Sequence, residues 1–143
     1  MQKTVAGILG DKGEAVWAID PGATVFEALE LLAEKNVGAV VVVEGGTLVG
    51  ILSERDYARK VVLQDRTSPN TSVRDIMTED VYTVRTDTKV SECMALMTDR
   101  RIRHLPVVDD GELVGVVSIG DVVRAVIAER EFMIDQLEQY IQS

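Results

Sequence analysis

Two hydrophobic rhythms alternate along this chain. Between residues 24 and 36, Val25, Ala28, Leu29, Leu31 and Leu32 recur at three- and four-residue steps, which predicts an amphipathic helix. Residues 88–101 repeat the pattern with Val90, Cys93, Met94, Leu96 and Met97. After each helix comes a Val-rich run, at residues 39–43 and 104–108, that predicts a strand. These strands turn through Glu44-Gly45-Gly46 and Asp109-Asp110-Gly111 into second strands at 47–52 and 112–117. Gly and Asp tolerate the positive φ of tight hairpin turns. Short apolar runs at 16–19 and 81–84 predict one more strand ahead of each helix, and Ser53 and Ser118 open a final helix in each set.

The two sets are copies. Sliding the chain against itself by 65 positions lays residues 16–60 on residues 81–125 without a gap. Val25 meets Val90, Glu27 meets Glu92, and Leu48-Val49-Gly50 meets Leu113-Val114-Gly115; Ser53, Asp56 and Arg59 meet Ser118, Asp121 and Arg124. Val5-Ala6-Gly7-Ile8-Leu9 resembles Val73-Arg74-Asp75-Ile76-Met77 at a slightly larger offset, so residues 10–15 read as a loop of extra residues. The chain thus divides into a first repeat with its N-terminal segment (1–64), a linker (65–72) broken by Ser68-Pro69-Asn70, a second repeat (73–125) and a helical extension (126–143). The expected fold is α/β (α+β): two β-α-β-β-α repeats in a pseudo-two-fold pair, with a long C-terminal helix. In that helix Val126, Met133, Leu137 and Tyr140 recur with Ile127, Ile134 and Ile141 beside them. It packs back on its own domain or on a partner subunit; the turns beyond the repeat favour the partner.

Composition narrows the class. The chain is 46% hydrophobic but only 4% aromatic, so its core is aliphatic. A net charge of −9 disfavours nucleic acid and membrane surfaces, whose phosphates repel an acidic protein. With a single cysteine, Cys93, no intrachain disulfide can form, which fits a reducing compartment. Residues 1–4 lead into no apolar run with a cleavage site, and no run approaches membrane-span length, so a cytoplasmic protein is expected.

The chemistry concentrates at the starts of the final helices, in Gly50-Ile51-Leu52-Ser53-Glu54-Arg55-Asp56 and Gly115-Val116-Val117-Ser118-Ile119-Gly120-Asp121. Serine followed three residues later by aspartate is a capping-box pattern, in which the pair satisfies free N–H groups. The same geometry suits a ligand. A helix start offers donors to an anion, a carboxylate can accept from both hydroxyls of a ribose, and the preceding glycine permits close approach of a ligand. Both readings are open on spacing alone.

The repeated Gly-apolar-apolar-Ser-x-x-Asp pattern, with Arg103-His104-Leu105-Pro106-Val107-Val108-Asp109 before the second copy, resembles the CBS domain family. Two tandem copies form a Bateman module, here of the stand-alone bacterial type, and the likeness runs from about Thr4 to Ala125. It implies binding of an adenosine-containing ligand (AMP, ADP, ATP, NAD or S-adenosylmethionine) in clefts between the copies, with no obligatory cofactor. It implies that Asp56 and Asp121 hold ribose hydroxyls, that Ser53 and Ser118 lie near phosphate or ribose, and that backbone around Gly38-Ala39 and His104-Leu105 meets base or phosphate. A homodimer is implied as well. The second copy carries Arg100, Arg101, Arg103 and His104 where the first has Lys35, Asn36, Gly38 and Ala39, so Arg101, Arg103 and His104 are candidate phosphate ligands and the two sites are expected to differ. The alternative is a solvated helix end. Arg55, Arg59 and Lys60 give the first copy a second basic patch.

An enzyme is not expected. No nucleophile elbow, phosphate loop, zinc-type ligand set or second histidine accompanies His104. The expected function is a nucleotide-sensing regulatory module, in the manner of energy sensing, that signals to an effector protein by conformational or oligomeric change. Its alternative is a ligand-free dimerisation module acting on a partner protein.

Overall fold

A computed structural model describes residues 3–13 and 16–142. In chain order the elements are α1 (Val5–Lys12), β1 (Ala18–Ile19), α2 (Val25–Lys35), β2 (Ala39–Glu44), β3 (Thr47–Ser53), α3 (Glu54–Tyr57), α4 (Val73–Ile76), α5 (Val90–Arg100), β4 (His104–Asp109), β5 (Glu112–Ser118) and α6 (Ile119–Gln142). A π-helical stretch, Ala58–Val62, continues α3, and a 3-10 turn, Ser68–Asn70, marks the linker. The described residues form two compact units, one from 16–82 and the other from 3–13 together with 83–142.

In the first unit α2 starts at Thr24, whose side chain accepts from Glu27 N–H in a reciprocal capping box. It stops at Asn36, whose left-handed φ of 53° ends the helix. The sheet order is β1-β2-β3, with β1 parallel to β2 and β2 antiparallel to β3. Gly45 and Gly46 turn the hairpin at φ of 58° and 82°. Val25, Ala28, Leu32, Val40, Val42, Leu52 and Val61 form the core with Val73, Ile76 and Met77 of the α4 segment.

The second unit repeats this plan. Arg101 ends α5 at a φ of 55°, and Asp110 and Gly111 turn the β4–β5 hairpin. Its core joins Val90, Cys93, Met97, Leu105, Val107, Val117, Val122 and Ala125 to Val5, Ile8 and Leu9 of α1. Each short helix therefore completes the repeat that does not follow it in the chain. The backbone ties match: Val5 N–H donates to Thr88 O and Val90 N–H to Lys3 O, while Val73 N–H donates to Ala23 O and Val25 N–H to Thr71 O. Burial pushes the Cys93 thiol up to about 11, with Glu92 adding to the shift, as befits an inert core side chain.

Two expectations change. The loop predicted over residues 10–15 is helical through Lys12, where a Lys3–Asp11 ion pair of 2.8 Å spans the helix and Gly13 at φ 92° ends it; residues 14 and 15 lie outside the described residues. The strand predicted at 81–84 shrinks to a single bridge, Val84 to Val107. In the first repeat Val41 N–H donates to Trp17 O, but the matching residue is Pro106, which has no N–H to extend the ladder.

Candidate functional site

Both Ser-x-x-Asp motifs fold as reciprocal caps. Asp56 Oδ2 accepts from Ser53 N–H at 2.9 Å and from Ser53 Oγ at 3.0 Å, while Asp56 N–H donates to Ser53 Oγ at 3.2 Å. Asp121 Oδ2 accepts from Ser118 N–H at 2.8 Å, and Asp121 N–H donates to Ser118 Oγ at 3.2 Å. The strand register sets Ala39 opposite Ser53 and His104 opposite Ser118. The first helical N–H then reaches back across the hairpin, Glu54 to Gly38 O at 3.1 Å and Ile119 to Arg103 O at 2.8 Å. Gly38, Ala39, Ser53 and Asp56 thus form one group, and the Arg103 backbone, His104, Ser118 and Asp121 the other. Arg101 stands apart, exposed at the left-handed end of α5, and the Arg103 side chain is exposed.

Each carboxylate also has partners beyond its own cap. Asp56 Oδ1 meets Lys60 Nζ and Thr78 Oγ1, each at 3.2 Å, and Lys60 also donates to Ile76 O. Asp121 is held by Lys12 Nζ at 2.7 Å and by Arg124 at 2.8 Å, and Lys12 donates to Val116 O as well. Burial alone would raise the Asp121 carboxyl, but the Lys12 hydrogen bond, the Ser118 N–H, the Lys12 charge and the Ser118 hydroxyl together hold it below the ordinary carboxylate value. Lys60 and Arg124 were legible as basic residues four and three positions after their aspartates. Lys12 and Thr78 carried no such local signal.

The glycines of the motif serve packing. A Cβ at Gly50 would lie 2.7 Å from Met77 Sδ and 3.0 Å from Thr78 O, and one at Gly115 would lie 2.8 Å from Leu9 Cδ2.

Beside Asp121 lies a hollow of about 340 Å³, bounded by Lys3, Asp11 and Lys12 on one side and Asp121, Arg124 and Ala128 on the other. Its rim combines three cationic groups with two carboxylates, a set that can take a phosphate and a hydroxylated sugar together. Among the described residues no cluster of three or more His, Cys, Asp or Glu could hold a metal ion, and no helix is long and apolar enough to cross a membrane.

His104 is half-buried beside these charges. Burial lowers its pKa, Lys12 and Arg103 push the same way, and Asp121 opposes them. A histidine that is harder to protonate when folded contributes stability above its unfolded pKa of about 6.5 and loses it as pH falls through the folded value. Acidification from pH 7.5 to 5 is therefore expected to lower the urea midpoint. His104→Gln should flatten that slope; an unchanged slope in the variant would refute the assignment.

The CBS domain family profile matches residues 14–63 and 73–128. The chain is 45% identical over 149 residues to the mitochondrial CBS domain-containing protein CBSX3 of Arabidopsis thaliana, covering 97% of this chain and 72% of that one. The crystal structure of the CBS-domain containing protein ATU1752 from Agrobacterium tumefaciens superposes with a TM-score of 0.82 at 37% identity, over 86% of this chain and 98% of that one. The CBS domain pair of MJ0100, solved with 5′-methylthioadenosine and S-adenosyl-L-methionine, superposes with a TM-score of 0.81 at 27% identity, over 90% and 99% of the two chains. With both repeats matched and the duplicated helix starts in place, this chain belongs to the CBS domain family and carries a tandem pair of its domains.

Proposed function

We propose that the chain is a regulatory module, not an enzyme, that binds an adenosine-containing ligand, AMP, ADP, ATP or NAD, at the helix starts of its repeats. Asp121 and Asp56 accept from ribose hydroxyls, Ser118 and Ser53 lie near the phosphate or ribose, and the Gly38-Ala39 and Arg103-His104 backbone meets base or phosphate. Arg101 and Arg103 serve as exposed phosphate partners. Binding shifts the module between conformational or oligomeric states of a homodimer and so signals to an effector protein in the cytoplasm. The observation that carries this reading is the Asp121 carboxylate beside a hollow rimmed by Lys3, Lys12 and Arg124. S-adenosylmethionine in the MJ0100 pair supports the ligand class.

One observation favours a ligand-free interaction module. Both carboxylates already have partners within the chain, so a ribose must displace Lys12 or Lys60. Thermal unfolding with each nucleotide and with S-adenosylmethionine separates the readings. A true ligand at a hundredfold excess over its Kd is expected to add about 2.7 kcal/mol of stability. Asp121→Ala and Asp56→Ala should each shrink that increment, measured against the variant's own unliganded baseline. If no adenosine compound raises the wild-type transition, or the increments match in all three proteins, the sensor reading fails.

A further inference from the structure

Helix α6 outruns the domain it belongs to. Its last buried residue is Ala125, and residues 126–142 continue without a break. Along this segment Ile127 is 51% exposed, Phe132 55%, Met133 59%, Ile134 56%, Leu137 60% and Ile141 79%. Ile127, Ile134 and Ile141 recur every seventh residue; Arg130 and Leu137 fall between them, three residues after Ile127 and Ile134. That spacing is the seam of a two-helix coiled coil, with Met133 widening one flank and Phe132 on the opposite face.

We infer that residues 126–142 form a self-association surface whose occupant is the same helix of a second copy, packed antiparallel. This rests on the homodimer proposed above for its occupant only, and is independent of any ligand. Charge sets the direction. A parallel pair in register would stack Arg130 on the second copy's Arg130 within the seam. Full antiparallel overlap of 126–142 crosses at Ile134, its midpoint. The two arginines then stand roughly 12 Å apart along the axis, and each faces Glu138 of the second copy. An anionic membrane is a poorer occupant, because the segment carries Glu129, Glu131, Asp135 and Glu138 against Arg130 alone.

Sedimentation equilibrium of the full chain at micromolar concentration tests this. The wild type is expected at twice the 15.7 kDa chain mass. Ile134→Glu, at an exposed position that leaves the fold intact by circular dichroism, is expected to weaken the dimer about 100-fold or more, equal to ~2.7 kcal/mol. Arg130→Glu and Glu138→Arg should each weaken it about tenfold, and the double exchange should restore it. A dimer indifferent to Ile134→Glu overturns this interface while leaving a homodimer standing. A wild-type monomer overturns both, and failure of the double exchange to restore the dimer overturns the antiparallel arrangement. Binding of the wild-type monomer to phosphatidylserine vesicles would assign the face to a membrane and overturn it too.

Discussion

Asp121→Ala is expected to lower the unfolding free energy by about 2–3 kcal/mol at pH 7, combining a lost helix cap with a part-buried N–H left unpaired. The side chain is 7% exposed and accepts from the part-buried Ser118 backbone, so its removal leaves that donor without its acceptor. The loss stays short of a fully buried ion pair because Lys12 and Arg124 are 37% and 73% exposed and regain water once released. Asp121→Asn should cost less, since the amide oxygen still accepts from Ser118. The sign with pH follows from the depressed carboxyl: its contribution is present above the unfolded pKa of about 3.9 and disappears as pH falls through the lower folded value. Urea unfolding of both variants checks the order. Equal losses for alanine and asparagine would mean that charge, not the cap, carries the effect.

The second expected result separates two glycines that look equivalent in sequence. Gly50→Ala should destabilise by about 2–3 kcal/mol and Gly115→Ala by about 1 kcal/mol, the span seen when cores are overfilled. At Gly50 the new methyl group meets the Thr78 carbonyl at 3.0 Å besides the Met77 thioether, and Thr78 is bonded both ways to Ile51, so the backbone cannot retreat. At Gly115 the crowding comes from the Leu9 side chain, which can change rotamer. Denaturant midpoints of the two variants give the comparison directly; a larger loss at Gly115 would show that Leu9 has no alternative rotamer.

Much of the architecture was legible because it is local. The α2 and α5 periodicity, the Gly45-Gly46 and Asp110-Gly111 turns and the Ser-x-x-Asp starts all depend on neighbours a few residues away. The duplication doubled every one of those signals. What escaped depends on distance. Lys12 and Asp121 are 109 residues apart, so nothing near either one announced their contact. Thr78 reaches Asp56 across 22 residues from a segment that resembled only the start of the next repeat. The strand at 81–84 carried the right pattern, but its neighbour lacked one N–H. The capping reading and the ligand reading of Ser53 and Ser118 use the same atoms, and the structure displays the cap in full.

The exchange of α1 and α4 bears on how this protein is made. One unit is drawn from an uninterrupted stretch, and its core is available as soon as residue 82 has left the ribosome. The other unit borrows Val5, Ile8 and Leu9 from ahead of that stretch. These apolar side chains wait unsheltered until Leu105 and Val117 have been synthesised, and closing so long a loop is slow. This segment is thus translated ahead of the uninterrupted unit yet finds its place after it, which leaves it open meanwhile to a chaperone or to misassembly.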